Sequence, residues 1–279
     1  MHAEAIAQRL WPDADLRVEP LGGGITNHNF RVDVGGETFV LRIGGKDTAL
    51  LGIDREVERA ATENAAQLGL GPEVVHFVDG CLVTRFVEGE TGRAEPREAG
   101  ALLRRLHDGR AIPGRFDSFQ VVEEYARLAR ERGVEPAPAC EEAHATARRI
   151  GEIRAGAPLV PCHNDLLAAN FVHDGERPWL VDWEYAGMGD PSFDLANYAV
   201  NNELDAEGER ELLDAYGGSD PGALTLMRFM SDFREAMWGV VQQAISELDF
   251  DFRGYADEHF ERLARTAAEP RFREALTAR

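Results

Sequence analysis

The chain has 279 residues, 44% of them hydrophobic, so it is long enough for one large domain or for two lobes around a cleft. Its 50 acidic and 30 basic residues give a formal net charge of −20, which disfavours nucleic acid as a partner because binding to phosphate backbones depends on Lys and Arg. No apolar run approaches the roughly 20 residues that a membrane-spanning helix needs, so we expect no membrane insertion.

The cysteine pattern indicates the cellular compartment. Cys81, Cys140 and Cys162 are far apart and form no CxxC pair, which favours a reducing cytoplasm over a disulfide scaffold or a zinc site. Residues 1–10 contain charged side chains and predict a short helix, not a signal peptide. We therefore expect a cytoplasmic protein, and the sequence leaves a homodimer open.

The N-terminal third predicts an antiparallel sheet with one inserted helix. Residues 54–68 have apolar side chains at helical spacing, with Asp54 as the N-cap and Gly69 as the stop. A glycine-rich turn over 22–27 separates the first two strands, but it lacks the GK[ST] of a Walker A loop and opens no helix as a dinucleotide fingerprint does. Alternating apolar residues predict strands over 16–21, 29–34, 37–43, 74–78 and 81–87, with Gly35-Gly36 and Asp79-Gly80 as turns.

The rest of the chain is mainly helical in pattern. Helical spacing covers 95–107, 121–132 and 140–154, a polar strand-and-loop region covers 160–194, and 195–276 is helical again. We therefore predict an α+β fold with a small β-rich N-terminal lobe over residues 1–88 and a large helical lobe over 89–279. Phe86–Glu90 would connect the lobes, and the cleft between them is the expected site.

A short polar loop contains the residues most indicative of chemistry. Asp165 and Asn170 lie five residues apart between apolar stretches and can converge on one point, and an apolar strand predicted in the segment Trp179–Tyr185 delivers Asp182 at its end. Asp165 can accept the hydrogen bond of an attacking hydroxyl. Asn170 and Asp182 offer the few oxygen ligands that Mg²⁺ takes from a protein when phosphates supply others. The trio predicts metal-assisted phosphoryl transfer.

Arg42 on a predicted strand and Glu58 on the following helix form a second candidate pair. A buried cation beside the glycine turn can hold α- and β-phosphates, and a helical glutamate can orient it. The alternative is an exposed strand arginine and a solvated helix face.

These motifs resemble those of a known family. His-x-Asp-(x)₄-Asn followed by a strand-borne Asp is the pattern of protein-kinase-like phosphotransferases. The segments HNDLLAANF, VDWEYAG and FDLANY are similar to motifs of the choline/ethanolamine kinase family, within the aminoglycoside phosphotransferase-like superfamily. The similarity extends over nearly the whole chain. The resemblance implies a protein-kinase-like two-lobe fold, ATP and Mg²⁺ as cofactors, and a small-molecule amino alcohol as the acceptor.

The resemblance also implies roles for individual residues. Asp165 would be catalytic and would contact the acceptor, Asn170 and Asp182 would bind the metal, and His163 and Asp194 would brace the catalytic loop. Residues with an implied nucleotide-binding role are Gly23, Gly24, Asn27, Arg42, Glu58, Phe86 and Val87. Residues with an implied acceptor-binding role, besides Asp165, are Tyr185, Glu235, Trp238 and Tyr255.

Two departures from the family pattern leave the acceptor open. Glu235 replaces a tryptophan that helps to cage choline, and Asn201 replaces a common acidic residue, so ethanolamine, another amino alcohol or an amino sugar fits as well as choline. An aminoglycoside phosphotransferase and an inactive nucleotide-binding regulatory module are the alternatives. A metallohydrolase using His163, Asp165 and His173 lacks an HxH or HExxH arrangement, and a protein kinase would need a DFG…APE segment after Asp182.

Overall fold

The computed structural model of the protein describes residues 3–22, 27–218 and 220–278. Gly23 and Gly24 of the predicted nucleotide turn lie outside these ranges. The N-terminal part contains a five-stranded antiparallel sheet in the order β1-β2-β3-β5-β4. The strands are β1 (Leu16–Leu21), β2 (Asn27–Val34), β3 (Glu37–Gly44), β4 (Val74–Val78) and β5 (Cys81–Arg85). This antiparallel sheet confirms the prediction, although β5 ends two residues before its predicted end.

Side-chain alternation along β3 gives the sheet two different faces. Leu41 is fully buried and packs with Ile6 and Ala7 of α1 (Ala3–Leu10) in a small core of its own. Because successive strand residues point to opposite faces, Val40 and Arg42 face the other side, where they line a cavity. The alternation therefore places Arg42 in the cleft.

The inserted helix α2 (Arg55–Gln67) begins where the sequence predicts. The Asp54 carboxylate accepts hydrogen bonds from the backbone N–H groups of Glu56 and Val57, as an N-cap does. Ala61 and Ala65 on its buried face join the large core of the C-terminal part. The same face also buries Glu58, an acidic residue, which places that carboxylate at the cavity under the sheet.

The C-terminal part is helical, as predicted. Its helices are α3 (Pro96–His107), α4 (Ser118–Glu131), α5 (Ala139–Ile153), α6 (Pro191–Asn201), α7 (Ala206–Tyr216), α8 (Pro221–Ile245), α9 (Phe252–Ala268) and α10 (Pro270–Thr277). α8 is the centre of this part, since it is buried on all sides from Leu224 to Met227 and from Phe229 to Gln242. Within the described ranges, no helix is both long enough and apolar enough to cross a bilayer.

Short strands hold the polar region between α5 and α6. β7 (Val160–Cys162) pairs with β10 (Gly187–Gly189), and β8 (Phe171–His173) pairs with β6 (Glu90–Thr91) and β9 (Pro178–Leu180). The strand predicted to deliver Asp182 at its end is shorter than expected, because it ends at Leu180 and Asp182 has a φ of 68° that no β-strand residue adopts. α6 begins at Pro191, capped by the Asp190 carboxylate, so Asp194 lies in the first turn of a helix and not in a loop.

Candidate active site

The loop after β7 is held by the first turns of α6. The Asp194 carboxylate accepts hydrogen bonds from the backbone N–H groups of His163 (2.8 Å) and Asn164 (2.7 Å). One helical turn further, the Asn197 side-chain oxygen accepts from the Leu166 N–H at 2.6 Å. Asn164 has a φ of 66°, so the chain turns sharply just before Asp165. These contacts fix the backbone on both sides of Asp165.

His163 joins this loop to the segment that contains Asp182. Its Nε2 lies 3.0 Å from the Val181 carbonyl oxygen, and its Nδ1 lies 3.3 Å from the Asp165 backbone nitrogen. A ring that donates through Nε2 and accepts through Nδ1 is a neutral imidazole. Burial lowers the pKa of His163, which favours the same neutral form. The ring therefore acts as a brace between two loops.

Asp165 and Asn170 are in contact. The Asn170 amide nitrogen donates to the Asp165 carbonyl oxygen at 2.8 Å and lies 3.3 Å from its Oδ2. Since the amide nitrogen is used in this way, Asn170 presents its Oδ1 as the remaining polar atom. Burial raises the pKa of Asp165 to about 7, and the nearby Glu235 and Asp182 carboxylates add to the increase while Arg234 opposes it.

Asp182 is tied to the same loop and to the sheet. The backbone N–H of Val181, the residue before Asp182, donates to the Asn170 carbonyl oxygen at 3.0 Å. The segments that contain Asp182 and Asn170 are therefore adjacent. Nη1 of Arg42 lies 2.5 Å from the Asp182 Oδ1 and 2.9 Å from the Glu58 Oε1. Burial acts to raise the pKa of Asp182, but the Arg42 guanidinium outweighs it and the net pKa is lowered. Asp182 is therefore held as a carboxylate.

The predicted Arg42–Glu58 contact is present, and a second arginine that the sequence reasoning missed extends it. Arg55 donates to Glu58 Oε2 at 2.7 Å and to the side-chain oxygen of Asn27 at 2.8 Å. The Asn27 amide nitrogen in turn donates to Glu184 Oε2 at 2.8 Å. This chain of buried polar groups joins the end of the glycine turn to the strand, the helix and the Asp182 segment.

Two adjoining cavities share these residues. One, of about 290 Å³, lies under the sheet and is lined by Phe86 and Val87. The other, of about 510 Å³, contains Asp165 and Asn170 together with the predicted acceptor residues. Arg42 and Asp182 line both. Phe86 and Val87 thus line the cavity on one side of the Arg42–Asp182 pair, and the predicted acceptor-binding residues line the cavity on the other.

The predicted acceptor residues form one connected group. Trp238 Nε1 donates to the Tyr185 hydroxyl at 3.1 Å, and the Tyr255 hydroxyl donates to Glu235 Oε2 at 2.8 Å. The Trp238 and Tyr255 rings pack edge to face with centroids 5.4 Å apart. Burial acts to raise the pKa of Glu235, but Arg234 outweighs it, so the net pKa is lowered and Glu235 is a carboxylate.

The donor set fits a hard divalent cation. Asn170 Oδ1 and the Asp182 carboxylate line one cavity, and both are the oxygen ligands that Mg²⁺ takes alongside phosphate and water. The lowered pKa of Asp182 keeps it in the form that binds a cation.

The fold and this site define a class of protein. A family model described as the phosphotransferase enzyme family matches residues 17–229. The chain therefore belongs to that family, and the sequence-based assignment is confirmed.

Individual relatives indicate which branch of the family this chain resembles. The structure of a choline/ethanolamine kinase family protein from Mesorhizobium loti is similar at a TM-score of 0.83, with 33% identity over 98% of this chain and 97% of that one. Protein LicA of Haemophilus influenzae is 30% identical over 70% of this chain but 61% of its own length, so this chain spans less than two thirds of it. A probable ethanolamine kinase of Arabidopsis thaliana is 25% identical over 87% of this chain and 77% of its own. These similarities confirm the predicted protein-kinase-like fold and the choline/ethanolamine kinase branch.

Proposed function

We propose that the protein is an ATP-dependent, Mg²⁺-requiring phosphotransferase that phosphorylates the hydroxyl group of a small amino alcohol, for which choline and ethanolamine are the reference acceptors. The observation that carries the proposal is the shared cavity of Asp165, Asn170 and Asp182, which also contains the aromatic residues and Glu235 of the acceptor group. The adjoining cavity is lined by both Phe86 and Asp182, so a nucleotide bound there could present its phosphates to Asp182.

The nucleotide would bind between the sheet and the polar loops. Arg42, oriented by Glu58, would contact its phosphates together with Gly23, Gly24 and Asn27, and the backbone near Phe86 and Val87 would meet the adenine. Asn170 and Asp182 would hold Mg²⁺, which neutralises charge on the phosphates when it is bound.

Asp165 would align the acceptor hydroxyl and take its proton. The hydroxyl oxygen forms a new bond to the γ-phosphorus, the bond from that phosphorus to ADP breaks, and the hydroxyl proton passes to Asp165. A general base works best when its pKa is near the working pH, and the pKa of Asp165 is about 7. Burial therefore prepares this carboxyl for proton transfer.

The acceptor group suits a substrate ammonium. Glu235 is a buried carboxylate among the aromatic rings of Tyr185, Trp238 and Tyr255. A carboxylate offers a hydrogen-bond acceptor, which a primary ammonium uses and a quaternary ammonium does not. The group therefore favours ethanolamine-like acceptors over choline.

A kinase assay tests the proposal. ADP release with Mg·ATP would be measured over choline, ethanolamine, further amino alcohols and kanamycin, and we expect turnover on at least one amino alcohol. Asp165→Asn should lower kcat by about 10²–10⁴-fold, the usual contribution of a general base. Glu142→Gln, which neutralises an exposed carboxylate on α5, is the matched control and should leave kcat unchanged. Turnover on kanamycin alone would replace the amino alcohol with an aminoglycoside acceptor.

A further inference from the structure

Arg234 is a charged residue in the acceptor cavity that the sequence reasoning missed. It lies on α8 beside Glu235, and only 2% of its side chain is exposed. Its Nη1 lies 2.6 Å from Glu235 Oε1 and 3.3 Å from Asp165 Oδ1. A buried guanidinium thus contacts both the proposed base and the acidic residue of the acceptor group.

The opposite edge of this guanidinium has no partner. Among the described residues, neither Nε nor Nη2 of Arg234 finds a hydrogen-bond acceptor, and both atoms are buried. These two N–H groups lie on the same edge of the planar fork and point in parallel, the geometry that matches the two oxygens of a carboxylate. Buried donors without partners are unfavourable, so an unpaired pair on a residue that lines the cavity indicates a ligand that completes it.

Arg234 also changes what the aromatic residues can bind. Its guanidinium carbon lies 4.3 Å from the centre of the Tyr185 ring, so the protein's own cation occupies a ring face that a substrate cation would otherwise use. Both oxygens of Glu235 already accept hydrogen bonds, one from Arg234 and one from the Tyr255 hydroxyl. A bulky quaternary ammonium therefore finds one aromatic face occupied and cannot donate to the remaining lone pairs of Glu235, whereas a primary ammonium can.

We propose that the acceptor is a zwitterion, a short hydroxy amino acid whose carboxylate binds the Nε–Nη2 edge of Arg234 and whose ammonium group lies near Glu235. This inference rests on the proposed function and specifies its substrate class. The same guanidinium contacts Asp165 through Nη1, so the substrate carboxylate and the reacting hydroxyl would lie at different edges of one guanidinium group. Since the edge is buried, a carboxylate reaches it by displacing a neighbouring side chain. Transfer gives ADP and an O-phospho amino acid, with the hydroxyl proton passing to Asp165.

Matched acceptor pairs that differ only by a carboxylate test the inference. The pairs are L-serine with ethanolamine, L-threonine with 1-aminopropan-2-ol, and L-homoserine with 3-aminopropan-1-ol. ADP release with Mg·ATP gives kcat/KM for each member. We expect the carboxylated member of at least one pair to be preferred by about 100-fold or more, because a site with buried hydrogen-bonding groups rejects analogues that leave them unpaired.

Arg234→Gln and Arg234→Lys separate recognition of the carboxylate from an effect on Asp165. Both members of a pair depend on Asp165 in the same way. A change in the reactivity of Asp165 therefore alters both kcat/KM values by the same factor and leaves their ratio unchanged. The ratio should fall to about 1 in Arg234→Gln and to an intermediate value in Arg234→Lys, which keeps the charge but not the fork. If neither variant folds, the ratio measured on the native protein still shows whether the carboxylated acceptor is preferred.

Two outcomes would overturn the inference and are distinguishable. Equal or better turnover of ethanolamine than of serine, repeated in the other pairs, would reject the zwitterion and leave the proposed function intact. No transfer to any of the six acceptors, to choline or to kanamycin would reject the proposed function as well.

Discussion

Neutralising Asp165 should stabilise the protein in a pH-dependent way while it removes activity. The pKa of this carboxyl is raised from 3.8 to about 7, chiefly by burial, so the folded protein holds the proton more tightly than the unfolded chain does. Stability from such a group is fully present below the unfolded pKa and is lost as the pH rises through the folded pKa. The relevant window therefore runs from about pH 4 to about pH 7.

The magnitude follows from the two pKa values. Each pKa unit corresponds to about 1.4 kcal/mol, so ionising Asp165 costs the folded state about 4 kcal/mol once the pH is well above 7. Between pH 5 and pH 8 the change is about 2.5 kcal/mol. Asp165→Asn keeps the shape and lacks the ionisation, so its free energy of unfolding relative to the native protein should increase by about this amount over that interval.

Urea unfolding at several pH values provides the assay. The free energies of unfolding of the native protein and of Asp165→Asn would be extrapolated to zero denaturant at pH 5, 6, 7 and 8. Groups such as His163 titrate in both proteins and cancel in the difference. A difference that stays constant from pH 5 to pH 8 would show that Asp165 is ionised over the whole range, and would refute the conclusion that burial raises its pKa to about 7.

Three further predictions concern the groups around Asp165. Arg42→Lys should lower kcat/KM for ATP by about 10–100-fold, since the contacts to Glu58 and Asp182 are charge-assisted bonds of about 1.5–3 kcal/mol; an unchanged value would contradict the phosphate role. Asp182→Asn should raise the Mg²⁺ concentration for half-maximal rate at least about 10-fold, as loss of one charged ligand implies; magnesium titration after chelation checks this. Asp194→Asn should lower the free energy of unfolding by about 3 kcal/mol by weakening bonds to two backbone N–H groups, whereas Asp214→Asn, exposed on α7, should change it by less than about 0.5 kcal/mol.

The sheet and the catalytic loop were predictable because their signals are local. Alternation, glycine turns and the Asp54 cap are patterns within a few residues, and they predict the strands and α2 to within about two residues. Asp165 and Asn170 are five residues apart on one loop, so their convergence needs only a tight turn. Asp182 was predicted from the apolar strand that precedes it, whereas the likeness to a known family supplied the acceptor residues.

Contacts between distant segments were not predictable in the same way. Arg55 meets Asn27 and Arg234 meets Asp165 across 28 and 69 residues of chain, and no periodicity indicates such pairs. α8 also buries Asp232 and Glu235, so a charged residue on this helix was not by itself a signal for Arg234. The strand predicted to end at Asp182 stops at Leu180, and Asp182 combines a φ of 68° with a contact to Arg42 across 140 residues of chain, which no local pattern indicates.

The account depends on Asp165, Asn170 and Asp182 acting together in phosphoryl transfer to a small hydroxyl compound. The most direct measurement is ³¹P NMR of the native protein and of Asp165→Asn, each with Mg·ATP and an equimolar mixture of ethanolamine and L-serine. We predict that the native protein converts the γ-phosphate signal into that of a phosphomonoester and of ADP, and that Asp165→Asn leaves ATP intact. Release of inorganic phosphate alone, or equal conversion by both proteins, would contradict the account.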